Sequence, residues 1–448
     1  MDRNPDGKVS AAAPKPLLSV TDGVFLMAGM VIGVGIFKAP SMVAGNVSSV
    51  AEFLLVWLFG GLISLCGALV YAELASRRPG TGGEYTFLTD GFGPGVGFLF
   101  AWSRMTVIQT GAIAAVAFVF GEYASQIAPL GTYSAAIWAA VAVGALTLLN
   151  LAGTLQSKTL QKVMEAILIL SLLGLAVVGM TSGAEAPPSM PSGGALDFAL
   201  LFVLFTYGGW NEAAYLGGEV KDPARNMLKV LVLGIVAVTA LYLVVNIGYV
   251  AALGLSGVAG SKAVAADVMR LGLGEKGVAV LAVIVCVSAL TTINAAIFTG
   301  ARTTYAMGND FAAFRHLGAW REAGSTPANA LFLQGAITLL LVGLSAATPD
   351  GFSAMVAYTA PVFWTFFLLT ALSLFVLRRK DPVKPPFRVW AAPLVAGAFV
   401  LMCAFMLWKS VAYIFNPHFG PKFGTAVLSG LVVMAIGIPV YFLQKKGR

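Results

Sequence analysis

The sequence predicts an all-α integral membrane protein with twelve transmembrane helices, and three observations carry that prediction. Of 448 residues, 58% are apolar and only 11% are charged, against about 25% charged in ordinary soluble domains. Apolar runs of the ~20 residues a bilayer requires recur along the whole chain. The basic residues fall mostly in the short connections between those runs. A water-soluble fold of this size could not hide so much apolar surface. The net charge of +8 therefore reads as membrane orientation rather than nucleic-acid binding.

The spans are placed at 21–43, 52–76, 94–126, 134–151, 160–181, 196–219, 228–253, 277–306, 328–347, 352–377, 391–414 and 424–443. Residues 1–20 are polar and form a cytoplasmic N-terminal segment, not a cleavable signal. Arg77 and Arg78 close the second span, Lys158 and Lys162 lie at the start of the fifth, and Lys221, Arg225 and Lys229 lie from the end of the sixth to the start of the seventh. Arg302 lies at the end of the eighth span with Arg315 and Arg321 after it, a cluster from Arg378 to Arg388 follows the tenth, and Lys445, Lys446 and Arg448 end the chain. With the N-terminus inside, all of these face the cytoplasm, and the outer loops keep only Lys262, Arg270, Lys276 and Lys422. That bias puts both termini in the cytoplasm. No loop is long enough to fold alone, so 21–443 is one transmembrane domain with a tail at 444–448. Cys66, Cys286 and Cys403 all lie in apolar stretches, which argues against a disulfide framework.

Two spans carry glycines at their midpoint. The first reads Gly33-Val34-Gly35 and the sixth Gly208-Gly209. Each glycine weakens a helix by about 1 kcal/mol. The two spans hold equivalent places in two five-helix halves, and paired interruptions of that kind point to a transporter binding site. Lipid cannot satisfy the backbone groups freed by a break, so they must line a cavity or meet a ligand. Freed N–H groups suit a carboxylate and freed carbonyls an ammonium. A zwitterionic amino acid supplies both.

Four stretches identify a family resemblance: Gly33-Val34-Gly35-Ile36-Phe37; Tyr71 to Ala75 followed by Pro79 to Tyr85; Phe205 to Asn211 continuing to Glu219, Pro223, Arg225 and Asn226; and Pro386-Phe387-Arg388-Val389. Through them the chain resembles amino acid permeases of the amino acid–polyamine–organocation superfamily, in particular the L-type amino acid transporter branch and its bacterial relatives. The resemblance implies a LeuT-type fold. Residues 21–181 and 196–377 would form a 5+5 inverted repeat, with two further helices at 391–443. It also implies a substrate site at Val31, Ile32, Gly33, Val34, Gly35, Phe205, Thr206, Gly208 and Asn211. There the Val34 and Gly35 N–H groups would hold the carboxylate, and the Val31, Phe205 and Gly208 carbonyls the ammonium. Phe205 would double as a gate, and Glu219 with Arg225 would gate the inner side. Many members carry Ser or Thr between the two glycines, and Val34 stands there in this chain. The site should then rely on backbone donors and prefer small or apolar neutral L-amino acids.

No cofactor is expected beyond a coupling ion, sodium or a proton. Members that work without sodium usually carry a fifth-span lysine, and the matching position is Leu168. Gly29 and Ile32 carbonyls with Ser288, Thr291 and Thr292 form a candidate cation site, since i, i+3 and i+4 share a helix face. The alternative is that these hydroxyls bond back to their own helix. Glu165, an intramembrane carboxylate, is a candidate proton site or a partner for Lys162. Lys38 is expected to snorkel to the outer interface, and Arg104 to need buried partners. Glu73 and Glu84, beside Arg77 and Arg78, are read as ion pairs of an inner gate.

The function expected is secondary active amino acid transport across the plasma membrane (the cytoplasmic membrane in a prokaryote) by exchange or cation symport. The alternative is an amino-acid sensor that binds without transport. An enzyme is not expected: His316 and His418 lie far apart, and no catalytic or P-loop motif occurs. The partners are an amino acid substrate and membrane lipid, with no nucleic acid. Vertebrate relatives join a heavy chain through a cysteine after the third span. The loop from Gln126 to Tyr133 has none, so no disulfide-linked heavy chain is expected.

Overall fold

A computed structural model of the protein describes residues 19–78, 83–153, 158–183, 194–212, 220–321, 326–348, 350–415 and 420–446. At 158–162, 223–225, 420–421 and 445–446 only the backbone is described. Among these residues the fold is helical, with one isolated bridge between Arg321 and Thr326 and no sheet.

Ten of the described helices are long and apolar enough to cross a membrane. They correspond to every expected span except the first and the sixth, and those two are interrupted. The chain is an integral membrane protein. The first span divides into α1 (Val20–Val31), a 3-10 turn (Val34–Phe37) and α2 (Ala39–Ala44). Ser19 and Asp22 close a capping box at its start. The second span is α3 (Val50–Arg77), capped by Ser49. A short helix, α4 (Gly83–Phe92), stands where the sequence suggested only a connection.

The third span runs from Pro94 to Ile127 as α5 (Pro94–Ser103), a π turn (Arg104–Ile108) and α6 (Gln109–Ile127). It is the most buried of the ten, with 72% of its apolar window inside the protein. It packs against the fourth, eighth and tenth spans, so it is a central post rather than a lipid-facing helix. Then come α7 (Ser134–Ala152), α8 (Lys158–Thr181) and α9 (Leu196–Thr206), the last being the first half of the sixth span.

Two later helices are longer than expected because each turns a corner at a glycine. In α10 (Pro223–Gly260) the corner is Gly254, with φ +65°, and in α11 (Val264–Asp310) it is Gly274, with φ +66°. Only glycine adopts such angles without steric cost. The connection between the seventh and eighth spans is therefore two short helical pieces. The remaining spans are α12 (Ala328–Ser345), α13 (Gly351–Lys380), α14 (Ala392–Ala412) and α15 (Gly420–Lys446).

The seventh span, in α10, packs along the first, second and fifth spans. Charge pairs tie the Arg77 end of the second span to the Arg378 end of the tenth. Glu73 pairs with both Arg77 and Arg378, and accepts the Val389 N–H. Arg78 bridges Asp90 and Asp381, and holds the Asp381 carboxyl below its usual range. Of the ion pairs expected here, Glu73–Arg77 forms, whereas Glu84 turns instead to Arg104.

Candidate functional site

The two interruptions meet. In the first span, α1 ends at Val31, Gly33 is extended, and the chain re-enters a helical turn at Val34. In the sixth, α9 ends at Thr206. Three turn residues follow, Gly209 among them at φ +104°, and then a single 3-10 turn over 210–212. A Cβ on Gly35 would lie 3.1 Å from the Thr206 side chain, and one on Gly209 would overlap the Met30 carbonyl. Gly209 is therefore needed for close approach as well as for backbone shape, while at Gly35 a Cβ would press on Thr206. Gly33, Gly35, Phe205, Gly208 and Gly209 keep accessible surface, while Val34, Thr206 and Tyr207 between them are buried. Open space thus reaches the irregular backbone of both spans.

The backbone groups of this cradle divide into taken and available ones. Val34 and Gly35 begin the 3-10 turn, so their N–H groups have no acceptor within it, and no loop bond among the described residues claims them. The Val31 carbonyl accepts the Gly33 N–H at 2.7 Å and the Tyr242 hydroxyl at 2.9 Å. Both of its lone pairs are thereby used. The Phe205 carbonyl accepts the Gly208 N–H at 3.0 Å. The Thr206 hydroxyl donates to the Phe202 carbonyl of its own helix at 2.8 Å. Ile32 and Asn211 are buried beside the two breaks.

Phe205 packs edge-on against Phe352, with centroids 5.7 Å apart. It borders a void of about 10 Å³ that Thr359, Phe363 and Trp364 of the tenth span complete. Such a void has room for one water at most.

Three buried tyrosines serve the broken stretch. Tyr242 reaches the Val31 carbonyl and, at 3.3 Å, that of Thr206. Tyr249 donates to the Ile36 carbonyl, and Tyr123 to that of Phe37, each at 3.3 Å. They supply the donors that a continuous helix would have supplied itself. Sequence reasoning missed all three. The signal was present for two of them, since Tyr242 and Tyr249 stand seven residues apart on one helix face.

The charged residues near the breaks are also paired. Lys38 is buried, its ammonium 2.8 Å from Glu122 and 3.2 Å from Asp350. The expectation that it snorkels outward is corrected: two carboxylates inside the protein compete successfully with the interface. Arg104, on the π turn, lies 2.7 Å from Glu212 and 3.6 Å from Glu84, which also accepts the Tyr71 hydroxyl.

In the fifth span the Glu165 carboxyl lies directly against Gly29, where a Cβ would overlap it. Leu168 is buried one turn further on. The side chains of Lys158 and Lys162 lie outside the described residues. In the eighth span Thr291 donates to the Val287 carbonyl at 2.9 Å, and Thr292 to that of Ser288 at 3.1 Å. Their protons therefore turn back along the helix. Ser288 is buried. No group of three His, Cys, Asp or Glu side chains among the described residues could hold a metal ion. Glu219 and the Arg225 side chain lie outside the described residues.

A family model described as amino acid permease matches residues 18–440. The chain belongs to the amino acid permease family. This permease is 27% identical over 437 residues to b(0,+)-type amino acid transporter 1 of Mus musculus, covering 93% of the chain and 86% of that protein. It is 30% identical over 469 residues to Large neutral amino acids transporter small subunit 2 of Mus musculus, covering 99% and 84%. The human form of the latter is 29% identical over 477 residues, covering 98% and 84%. The resemblance to the L-type branch drawn from the motifs is thus borne out, and the permease's relatives are transporters rather than enzymes.

Proposed function

We propose that the protein is a secondary active transporter of small or apolar neutral L-amino acids, working by alternating access with both termini in the cytoplasm. The observation that carries this reading is the meeting of two broken spans, whose glycines lie against each other's span and keep some accessible surface. The Val34 and Gly35 N–H groups are the donors for the substrate carboxylate. The Gly208 carbonyl remains for the ammonium, since that of Val31 is occupied by Tyr242 and Gly33, and that of Phe205 by Gly208 and Tyr207. Val34 offers no hydroxyl, and the aromatic edge formed by Phe205, Phe363 and Trp364 favours an apolar side chain. The printed names of the relatives, a b(0,+)-type and a large neutral amino acid transporter, agree with this substrate class.

For the coupling ion we favour Glu165 over the eighth-span hydroxyls. Its carboxylate touches the first span at Gly29, next to the break, where protonation or cation capture would bear on the cradle.

The test is uptake of labelled amino acids into liposomes across a panel of substrates, each with and without sodium, a proton gradient and internal substrate. Saturable flux of neutral amino acids is the expected result. Binding without flux would replace transport by sensing. Flux that ignores sodium, pH and the Glu165→Gln change alike would leave exchange without a coupling ion.

A further inference from the structure

The two broken spans repeat one device with opposite charge. Lys38 stands three residues beyond Gly35, and Glu212 three residues beyond Gly209. Each donates its backbone N–H to the carbonyl of that glycine, in both cases at 3.0 Å. Each side chain then pairs with the third span, Lys38 with Glu122 at 2.8 Å and Glu212 with Arg104 at 2.7 Å. A second carboxylate supports each pair: Asp350 at 3.2 Å from Lys38, and Glu84 at 3.6 Å from Arg104. Asp350 also caps the tenth span through Ser353, and Tyr71 of the second span holds Glu84.

We propose that the third span is a fixed post to which the two broken spans latch, Lys38 closing one side of the cradle and Glu212 the other. Arg104 and Glu122 are eighteen residues apart, about 27 Å at 1.5 Å per residue. That is close to the ~30 Å of a hydrocarbon core, so the two pairs stand on opposite sides of the cradle. The third span is suited to be the post because it is the most deeply buried of the apolar spans described. A buried ion pair separates only when water replaces the lost partner. Opening the path on one side wets the latch on that side and leaves the other dry and shut. The bond from each latch residue to its cradle glycine carries a change in the cradle directly to the latch.

This inference rests on the alternating-access reading, and its test measures accessibility rather than flux, so the two fail separately. In a background of Cys66→Ala, Cys286→Ala and Cys403→Ala, the reporter is Ser353→Cys beside the Lys38 latch. Intact cells are treated with a membrane-impermeant maleimide, and labelling is scored on protein that elutes as a folded peak. Lys38→Met is expected to raise the labelling rate several-fold over the parent, and Arg104→Met to lower it. The exchange Lys38→Glu with Glu122→Lys is expected to return the rate to the parent value. If Lys38→Met yields no folded peak, Glu122→Gln takes its place with the same expected rise. Movement of both single variants in one direction, no movement, or a reversed order would overturn the proposal, as would an exchange variant that labels like Lys38→Met.

Discussion

The Tyr242 hydroxyl sits 2.9 Å from the Val31 carbonyl, the last one of α1, and within 3.3 Å of the Thr206 carbonyl, the last one of α9. One side chain of the seventh span thus joins the ends of both broken helices. A carbonyl left without a donor inside a membrane protein is expensive; that of Val31 also accepts the Gly33 N–H, so the Thr206 carbonyl depends more on this hydroxyl.

Tyr242→Phe removes the donor and keeps the ring against Trp57 and Tyr207. We expect a stability loss of about 1–3 kcal/mol, the usual cost of stranding a buried acceptor, together with a marked fall in uptake. Tyr249→Phe, which serves only Ile36, should cost stability and spare more of the uptake. Thermal unfolding in detergent and liposome flux separate the two effects.

Gly35→Val should abolish uptake while folded protein remains. Even a Cβ at residue 35 meets Thr206 at 3.1 Å, and the larger side chain would crowd the Val34 and Gly35 N–H groups proposed to hold the carboxylate. Retained transport by this variant would remove the carboxylate assignment.

Gly209→Ala should cost much more than Gly131→Ala. Both glycines have positive φ, +104° and +84°, and share a backbone strain of about 1–3 kcal/mol. At Gly131 nothing lies within 4 Å of the added Cβ, whereas at Gly209 it overlaps the Met30 carbonyl. The yield of folded protein and its unfolding temperature report the difference.

Gly29→Ala collides with the Glu165 carboxyl. It should destabilise the protein alone and much less in combination with Glu165→Ala. A double-mutant cycle on unfolding should give a coupling energy of about 0.5–3 kcal/mol. Strict additivity would show that the two groups do not touch.

Glu73→Gln should destabilise by about 3–5 kcal/mol, the cost of breaking a buried pair from one side. The carboxylate serves Arg77, Arg378 and the Val389 N–H together. Thermal unfolding of the variant against the parent measures this directly.

Much of this molecule can be read from one dimension. Composition alone determined the bilayer as solvent. Runs of apolar residues located ten helices to within a few positions, and Gly33, Gly35, Gly208 and Gly209 marked the two interruptions. All of these are local properties of the chain, because a helix satisfies its own backbone and a glycine weakens it in place. The corners at Gly254 and Gly274 escaped because each stands among several glycines at or beyond a span end, where a glycine reads the same whether it packs or turns.

What only the tertiary structure decided is which groups answer the broken backbone and the buried charges. Lys38 finds Glu122 across 84 residues, and Arg104 finds Glu212 across 108. Tyr242 reaches Val31 from 211 residues away. Periodicity says which face of a helix avoids lipid, but not which helix covers that face. A buried ion pair or an orphaned carbonyl is settled by whatever partner the packing brings within 3 Å or so, and that depends on how the spans assemble.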